Sequence, residues 1–214
     1  MTMRTAVAIS GRGSNLEALL QALGPDAPAE IVLVLSDKAE AAGLTHARSR
    51  DIPVRVLARP ADGGAWLEAL RENAIDLIVL AGYLKLVPAA VVTVYRGRII
   101  NTHPSLLPAF GGKGMYGRRV HEAVLASGAR ETGVTVHLVD EVYDSGAVLA
   151  TSRVPVLQGD TPERLAARVL EAEHRLLPAV VLAAATAGRP VPIEDPRAGV
   201  KEQSGRLQTP NSGP

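Results

Sequence analysis

Short apolar runs alternate with helical patterns through the first half of this sequence. The run Thr5–Ser10 is closed by glycines at 11 and 13, and four leucines between positions 16 and 23 then recur on one helical face. The run 77–81 is apolar at every position, which is typical of strands covered on both faces in a parallel sheet. The alternation predicts an α/β fold, with a doubly wound, mostly parallel sheet flanked by helices.

The remaining elements follow from the same patterns. Further strands are predicted at 31–35, 54–56, 77–81 and 99–101. Helices are predicted at 41–50, 65–73, 88–95 and 120–127. Two long runs, 132–139 and 147–156, flank a short acidic turn and predict a C-terminal antiparallel strand pair. The last helix begins at Thr161-Pro162 and is expected to reach about Leu177, where Pro178 would end or kink it.

Composition and charge exclude several classes of function. The net charge is only +1, and the lysine and arginine residues are scattered along the sequence rather than clustered. Both features argue against a nucleic-acid partner. The sequence has no cysteine, which removes thiolate chemistry and fits the reducing cytoplasm. No apolar run reaches the roughly 20 residues that a membrane helix needs, and no signal peptide is recognisable. We therefore expect a cytoplasmic protein without a membrane partner.

The turn after the first strand, Ser10–Asn15, is a candidate anion site. Its glycines allow backbone amides to converge at the start of a helix, where the helix dipole favours an anion such as phosphate. The segment lacks both the Lys-Ser/Thr ending of a P-loop and the third glycine of a dinucleotide-binding turn. A tight turn without a ligand is the alternative.

Asn101 and His103 form a candidate catalytic pair. They lie two residues apart at the end of an apolar run and should project to the same side of an extended segment. An amide can donate to a developing oxyanion, and an imidazole exchanges a proton near neutral pH. The pair suits attack on a carbonyl, unless both side chains only satisfy backbone groups at the strand end.

Asp144 ends the acidic turn, directly before Ser145 and Gly146. A carboxylate near His103 would raise the pKa of the imidazole, keep it protonated and orient a water. Equally, an aspartate before a glycine is a common turn residue. His137 lies in an alternating strand, where it would either support a site or fill the core. The histidines and acidic residues have no metal-ligand spacing, so no metal is expected.

Taken together and in order, these segments resemble the phosphoribosylglycinamide formyltransferase family. The segments that carry the resemblance are 9–16, 80–86, 101–108, 133–137, 144–146 and 173–174. Members of that family use 10-formyltetrahydrofolate as the formyl donor to glycinamide ribonucleotide (GAR), without a metal. The resemblance implies cytoplasmic purine (IMP) biosynthesis, with two small-molecule substrates and a monomer or homodimer.

The resemblance also implies roles for individual residues. Asn101, protonated His103 and Asp144 would be catalytic, with His137 and a cis Leu107-Pro108 bond in support. The substrate's phosphate and ribose would be bound by Gly11, Arg12, Gly13, Ser14, Asn15 and Glu173. The folate cleft would be lined by Leu84, Lys85, Leu86, Val87, Asp140, Glu141, Val142 and Tyr143.

The implied organisation is a single formyltransferase domain over 1–190, with a phosphate-binding half at about 1–100 and a folate-binding and catalytic half at about 101–190. A glycine-rich loop over 110–117 and a disordered tail over 198–214 are expected. Three alternatives use related chemistry or the same fold. The first two are a formyltetrahydrofolate deformylase and a methionyl-tRNA formyltransferase, each of which carries an added domain. The third is a non-catalytic folate or nucleotide sensor.

Overall fold

The fold is built on one seven-stranded sheet, seen in a computed structural model that describes residues 2–196. The strands are β1 Met3–Ile9, β2 Ala29–Ser36, β3 Val54–Val56, β4 Leu77–Leu80, β5 Ile99–His103, β6 Glu131–Leu138 and β7 Val148–Pro155. Their order in the sheet is β3-β2-β1-β4-β5-β6-β7. Strands β1 to β5 pair in parallel, whereas β6 and β7 are antiparallel to their neighbours. The predicted fold class is confirmed, including the C-terminal antiparallel pair.

The helices cover both faces of the sheet. They are α1 Ser14–Ala22, α2 Leu44–Arg48, α3 Gly63–Glu72, α4 Ala89–Val94, α5 Arg118–Ala126 and α6 Pro162–Ala187. One apolar cluster joins α1, α2, α5 and α6 to the sheet, and a second joins α3 and α4 to the opposite face. In β1, Val7 and Ile9 belong to the first cluster, while Ala6 and Ala8 belong to the second. This double coverage explains why the strands are apolar at successive positions.

The strand order reverses between β1 and β4, which leaves a crevice at the carboxyl ends of these strands. The turn after β1 is tied to the segment after β4 by two hydrogen bonds. The Ser10 amide donates to the Gly82 carbonyl at 3.1 Å, and the Leu84 amide donates to the Ser10 hydroxyl at 2.9 Å. Ligands of open α/β sheets bind at such a reversal point. The topology therefore directs attention to the chain segments that follow β1, β4 and β5.

Helix α6 corrects one prediction from the sequence, because Pro178 does not end it. The helix continues for nine residues beyond the proline, to Ala187. An internal proline costs about 3 kcal/mol. Burial of each large apolar side chain on this segment, such as Val180 and Val181, contributes roughly 1.5–3 kcal/mol and offsets that cost.

Helix α2 is shorter than the predicted 41–50. It begins at Leu44 because Gly43 lies against the turn after β1, where its amide donates to the Gly11 carbonyl at 2.9 Å. The predicted tail over 198–214 lies outside the described residues. None of the helices described here is long and apolar enough to cross a membrane.

Candidate active site

A cavity of about 550 Å³ opens at the carboxyl ends of β1, β4 and β5. It runs from the turn after β1 to the turn between β6 and β7, and the glycine-rich loop lies over it. Eight of the residues that the sequence assigned to anion binding, catalysis or support line this cavity, and they are Gly11, Arg12, Gly13, Ser14, Asn15, Asn101, His103 and Asp144. His137 and Glu173 line it as well.

The turn at Gly11–Gly13 is shaped by a close approach of two backbones. Gly13 has a φ of +74°, and a Cβ atom there would lie 2.6 Å from the Cα of Gly43. Only glycine fits both requirements. The turn leads directly into the N-terminus of α1, so the first amides of the helix face the cavity end that Arg12 also lines. This arrangement can hold an anion.

Glu173 reaches the same end of the cavity from α6, and its side chain is buried. The Thr102 hydroxyl donates to Glu173 Oε1 at 3.1 Å. Burial raises the pKa of Glu173 to about 7, although hydrogen bonds from Thr102 and Asn15 act in the opposite direction. Glu173 is therefore a carboxyl group whose charge changes within the physiological pH range.

Asn101 and His103 lie on β5, which is two residues longer than predicted and includes His103. The two side chains share one side of the strand, as the spacing predicted, and the intervening Thr102 points to the other side, toward α6. His103 Nε2 lies 2.8 Å from the carbonyl oxygen of Phe110. Since a carbonyl only accepts, Nε2 carries a proton and donates.

Asp144 meets both imidazoles, which the sequence could not establish. Its Oδ2 lies 3.5 Å from His103 Nδ1, and its Oδ1 lies 3.6 Å from His137 Nε2. The Gly112 amide donates to Oδ2 at 2.8 Å. Burial acts to raise the pKa of Asp144, but His137, the charge of His103 and the Gly112 amide outweigh it and hold the pKa below its usual value. Asp144 is therefore an anion at neutral pH.

His137 fixes the orientation of Asn101. Asn101 Nδ2 lies 3.0 Å from His137 Nε2, and an amide nitrogen can only donate, so Nε2 accepts. The proton of His137 then resides on Nδ1, which donates to the Leu138 carbonyl at 2.8 Å. This tautomer leaves the second amide hydrogen of Asn101 free for a ligand.

Asp144 acts to raise the pKa of His103, as the sequence predicted, but the prediction that His103 stays protonated was wrong. Burial lowers this pKa, and the attraction of Asp144 and the hydrogen bond to Phe110 do not fully compensate, while His137 lowers it further. The sequence suggested the neighbouring carboxylate but gave no measure of the burial. At neutral pH His103 is therefore mainly a neutral imidazole, which can accept a proton.

A comparison of the sequence with protein-family models shows which family it belongs to. Residues 3–181 match the family described as formyl transferase. The chain belongs to this family. The match covers every element from β1 to most of α6, and with them all the residues that line the cavity.

Individual members of the formyl transferase family are close in sequence and structure. The chain is 46% identical over 186 residues to the chloroplastic phosphoribosylglycinamide formyltransferase of Arabidopsis thaliana, covering 83% of this chain and 64% of that protein. It is 38% identical over 185 residues to phosphoribosylglycinamide formyltransferase of Haemophilus influenzae, covering 83% and 85%. A crystal structure of phosphoribosylglycinamide formyltransferase from Brucella melitensis superimposes with a TM-score of 0.79 at 47% identity, covering 86% of this chain and 96% of that one.

The segment after β4 forms the other wall of this formyl transferase cavity. Leu84, Lys85, Leu86 and Val87 all line it, together with Asp140, Val142 and Tyr143 of the β6–β7 turn. Leu84, Leu86 and Val142 are 41%, 45% and 65% exposed, which leaves an apolar rim open to a ligand. Glu141, also predicted here, is exposed and does not line the cavity.

Two further groups of residues reach the cavity without having been predicted. The first is the glycine-rich loop with the start of α5, which contributes Lys113, Tyr116 and Arg119. Its composition predicted a loop at the cleft, but not which of its side chains would line the cavity. The second is Thr102. Its position between Asn101 and His103 was the only feature of the sequence that could have indicated that it lies at the cavity. The Leu107-Pro108 bond is cis, as the resemblance implied, but Pro108 does not line the cavity.

No metal site accompanies this arrangement in the described part of the chain. Within residues 2–196, no three histidine, aspartate or glutamate side chains converge in a way that could hold an ion. The two imidazoles nearest Asp144 already have hydrogen-bond partners on their other nitrogens. The donor set at this point is suited to proton exchange and oxyanion binding.

Proposed function

We propose that this protein transfers the formyl group of 10-formyltetrahydrofolate to the amino group of GAR, giving N-formylglycinamide ribonucleotide and tetrahydrofolate. The step belongs to purine (IMP) biosynthesis. One observation carries the proposal. A buried carboxylate meets two imidazoles and an oriented amide in the middle of a cavity whose ends differ, one suited to an anion and the other to an apolar ring. Membership of the formyl transferase family and the names of the similar proteins support it.

GAR would occupy the end of the cavity near β1. Its phosphate would accept from the amides of Gly11, Gly13, Ser14 and Asn15 and interact with Arg12. Its ribose hydroxyls would donate to Glu173, a buried acceptor on the adjacent helix. Anchoring the substrate at the phosphate and the ribose leaves the amino group to reach toward β5.

The folate would occupy the other end. Leu84, Leu86 and Val142 offer apolar surface to a flat ring system, and Lys85 offers a cation to the carboxylates of the folate tail. Asp140 and Tyr143, on the facing turn, complete the cleft. Bound in this way, the formyl group lies between the two halves of the cavity, close to Asn101.

Transfer requires one carbon–nitrogen bond to form and another to break. The amino nitrogen of GAR attacks the formyl carbon, and the carbonyl electron pair moves to oxygen to give a tetrahedral oxyanion. The free amide hydrogen of Asn101 donates to that oxyanion, because the other one is held by His137. Collapse of the intermediate restores the carbonyl and expels N10 of the folate. The protein forms no covalent intermediate.

His103 and Asp144 would move the proton. The attacking amine must lose a proton and N10 must gain one. Since Nε2 of His103 already carries a proton, the incoming proton would be accepted at Nδ1, beside Asp144, and Nε2 would donate the second. Asp144 stabilises the imidazolium that forms between these two steps and can orient a relaying water. The Phe110 carbonyl accepts the Nε2 proton of His103, so this hydrogen bond has to break before Nε2 can donate to a substrate.

The test is an absorbance assay for deformylated folate with purified protein, run with and without GAR. We expect turnover that requires GAR and yields formylated GAR in equal amount. Equal turnover without GAR would identify a hydrolase, and binding of both ligands without turnover would identify a sensor. Asp144→Asn should abolish the GAR-dependent signal while leaving GAR binding intact.

Three further assignments stay predictions. They are the single domain over 1–190, a cytoplasmic location, and a monomeric or homodimeric state. Size-exclusion chromatography with light scattering measures the last. The chain spans 64% of the length of its plant relative. The activity is therefore proposed for this chain on the basis of its own cavity.

A further inference from the structure

Thr102 lies between two catalytic residues but faces a different partner. It is on β5, its side chain is 6% exposed, and its hydroxyl donates to Glu173 Oε1 at 3.1 Å. Both side chains line the cavity. A hydroxyl has a single proton to donate, so Thr102 commits that proton to the carboxyl group.

Asn15 completes a buried polar cluster with these two residues. Its side chain is 7% exposed, and hydrogen bonding from it to Glu173 lowers the pKa of that carboxyl group. Its Oδ1 atom is buried and has no hydrogen-bond partner among the residues that the structure describes.

The cluster can accept a hydrogen bond from a ligand at Glu173. The Thr102 hydroxyl donates its only proton to this carboxyl group and Asn15 also hydrogen-bonds to it, which leaves the remaining lone pairs of Glu173 for a ligand in the cavity. Such an acceptor matches a hydroxyl donor of a ribose. A ligand lacking that hydroxyl would leave a buried acceptor unpaired.

We propose that Thr102 is a positioning residue, which orients the Glu173 carboxylate as an acceptor for a ribose hydroxyl and so sets the affinity for the ribonucleotide substrate. The inference rests on the proposed function and adds a residue to its ribose subsite. Thr102 acts through Glu173 and touches no reacting atom.

Charge at this cluster is set by few groups. The elements packed around it carry charged or titratable groups, among them Glu17 of α1, His103 of β5, His121 of α5 and both Glu171 and His174 of α6, and none of these is among the causes of the shift in the pKa of Glu173. Burial raises the pKa of Glu173, and the hydrogen bonds from Thr102 and Asn15 lower it. Removing the Thr102 hydroxyl therefore takes away one of the two interactions that favour the ionised carboxylate, and the pKa of Glu173 should rise.

The test compares Thr102→Val with Thr102→Ser and with Thr132→Val. Valine has nearly the shape of threonine and suits a strand, so the fold should be retained. Thr102→Ser keeps the hydroxyl. Thr132 is a matched control, because it is also buried on a strand, its hydroxyl has no partner within residues 2–196, and it does not line the cavity.

Steady-state kinetics of formyl transfer provide the first readout. At pH 7.5, Thr102→Val should raise the KM for GAR about tenfold, as expected for loss of a hydrogen bond to a charged group. Its kcat and its KM for the folate should stay within about twofold of the wild type, because the reacting groups are untouched. Thr102→Ser should restore most of the affinity. Thr132→Val should not change the KM for GAR.

The pH profile separates positioning from a packing effect. The KM for GAR should fall as the pH rises through the pKa of Glu173, and in Thr102→Val that fall should occur at higher pH. The inference is overturned by an unchanged KM in Thr102→Val, by an equal rise in both KM values, or by the same rise in Thr102→Ser.

A titration keeps this outcome distinct from failure of the proposed function. The carboxyl carbon of Glu173 is followed by carbon-13 NMR in ligand-free protein, and the signal is assigned by its loss in Glu173→Gln. Its pKa should be higher in Thr102→Val than in wild type, whatever substrate the enzyme uses. If wild-type protein does not turn over GAR, the proposed function fails. If the pKa does not move, the Thr102–Glu173 interaction fails.

Discussion

Asp144 and Glu173 are two buried carboxyl groups in one cavity, and their surroundings drive their pKa values in opposite directions. Asp144 lies within 3.6 Å of two imidazole nitrogens and accepts from the Gly112 amide, so its pKa lies below the usual value. Glu173 has only the neutral partners Thr102 and Asn15, so burial prevails and its pKa rises to about 7. The neighbours of each carboxyl group thus determine whether its pKa lies below or above the usual value.

The difference matches the two tasks proposed for the cavity. A permanent anion beside His103 stabilises an imidazolium during proton transfer. A carboxyl group with neutral partners binds hydroxyl donors of a substrate and need not carry a charge through the reaction. Substitutions at the two sites should therefore affect different kinetic constants.

The largest effect is expected from Asp144→Asn. The substitution keeps the shape but removes the anion beside His103, so kcat should fall by about 10³-fold, within the range for loss of general acid–base catalysis. Rapid-quench measurement of formyl transfer checks this. Asp51→Asn is the control, because Asp51 shares the left-handed backbone conformation of Asp144 and lies outside the cavity. A loss of less than tenfold would remove Asp144 from the mechanism.

Glu173→Gln should act on binding. Replacing a charged acceptor by an amide should raise the KM for GAR about 50-fold at pH 8, with kcat at saturation changed far less. Isothermal titration of GAR into each protein gives the affinity directly. Glu171→Gln, on an exposed position of the same helix, provides the control. An effect confined to kcat would mean that Glu173 belongs with the catalytic group.

His137→Phe should produce a loss in kcat of about 20-fold, because Asn101 would lose the acceptor that fixes its amide. The KM for GAR should be unaffected, since His137 contacts the catalytic side of the cavity. His137→Gln, which can accept from the Asn101 amide through Oε1, should recover part of the loss. Equal losses in the two variants would contradict the orienting role.

The smallest effect is the pH dependence of wild-type affinity. A pKa of about 7 makes Glu173 mostly protonated at pH 6 and mostly ionised at pH 8. The ionised form is the better acceptor, so the KM for GAR should be about tenfold higher at pH 6 than at pH 8. Glu173→Gln should lose this dependence. Its persistence in the variant would assign the titration to another group.

Local patterns in the sequence predicted most of the fold and much of the site. Continuous apolar runs identified the parallel strands, and the spacing of Asn101 and His103 correctly placed them on one side of β5. The prediction that α6 ends near Leu177 was wrong, because the buried face of α6 outweighs the local cost of Pro178. Tertiary packing decides such cases, and it has no signature within a short window of sequence.

Contacts between distant segments could not be predicted from residue spacing. Asp144 reaches His103 only because β6 pairs with β5 and the following turn folds back over the strand end. The direction of the His103 pKa depends on how deeply that turn and the glycine-rich loop bury it. Likewise, Thr102 donates a hydrogen bond to Glu173, which lies 71 positions further along the chain. Each of these depends on the assembled sheet.

The most direct test of this account is a carbon-13 NMR titration of the carboxyl groups of Asp144 and Glu173 in the same ligand-free sample. Signals are assigned by their loss in Asp144→Asn and Glu173→Gln. We predict that Asp144 titrates below 3.8, its ordinary value, and that Glu173 titrates near 7. Similar pKa values for the two groups, or the reverse order, would contradict the division of the cavity into a catalytic and a binding end.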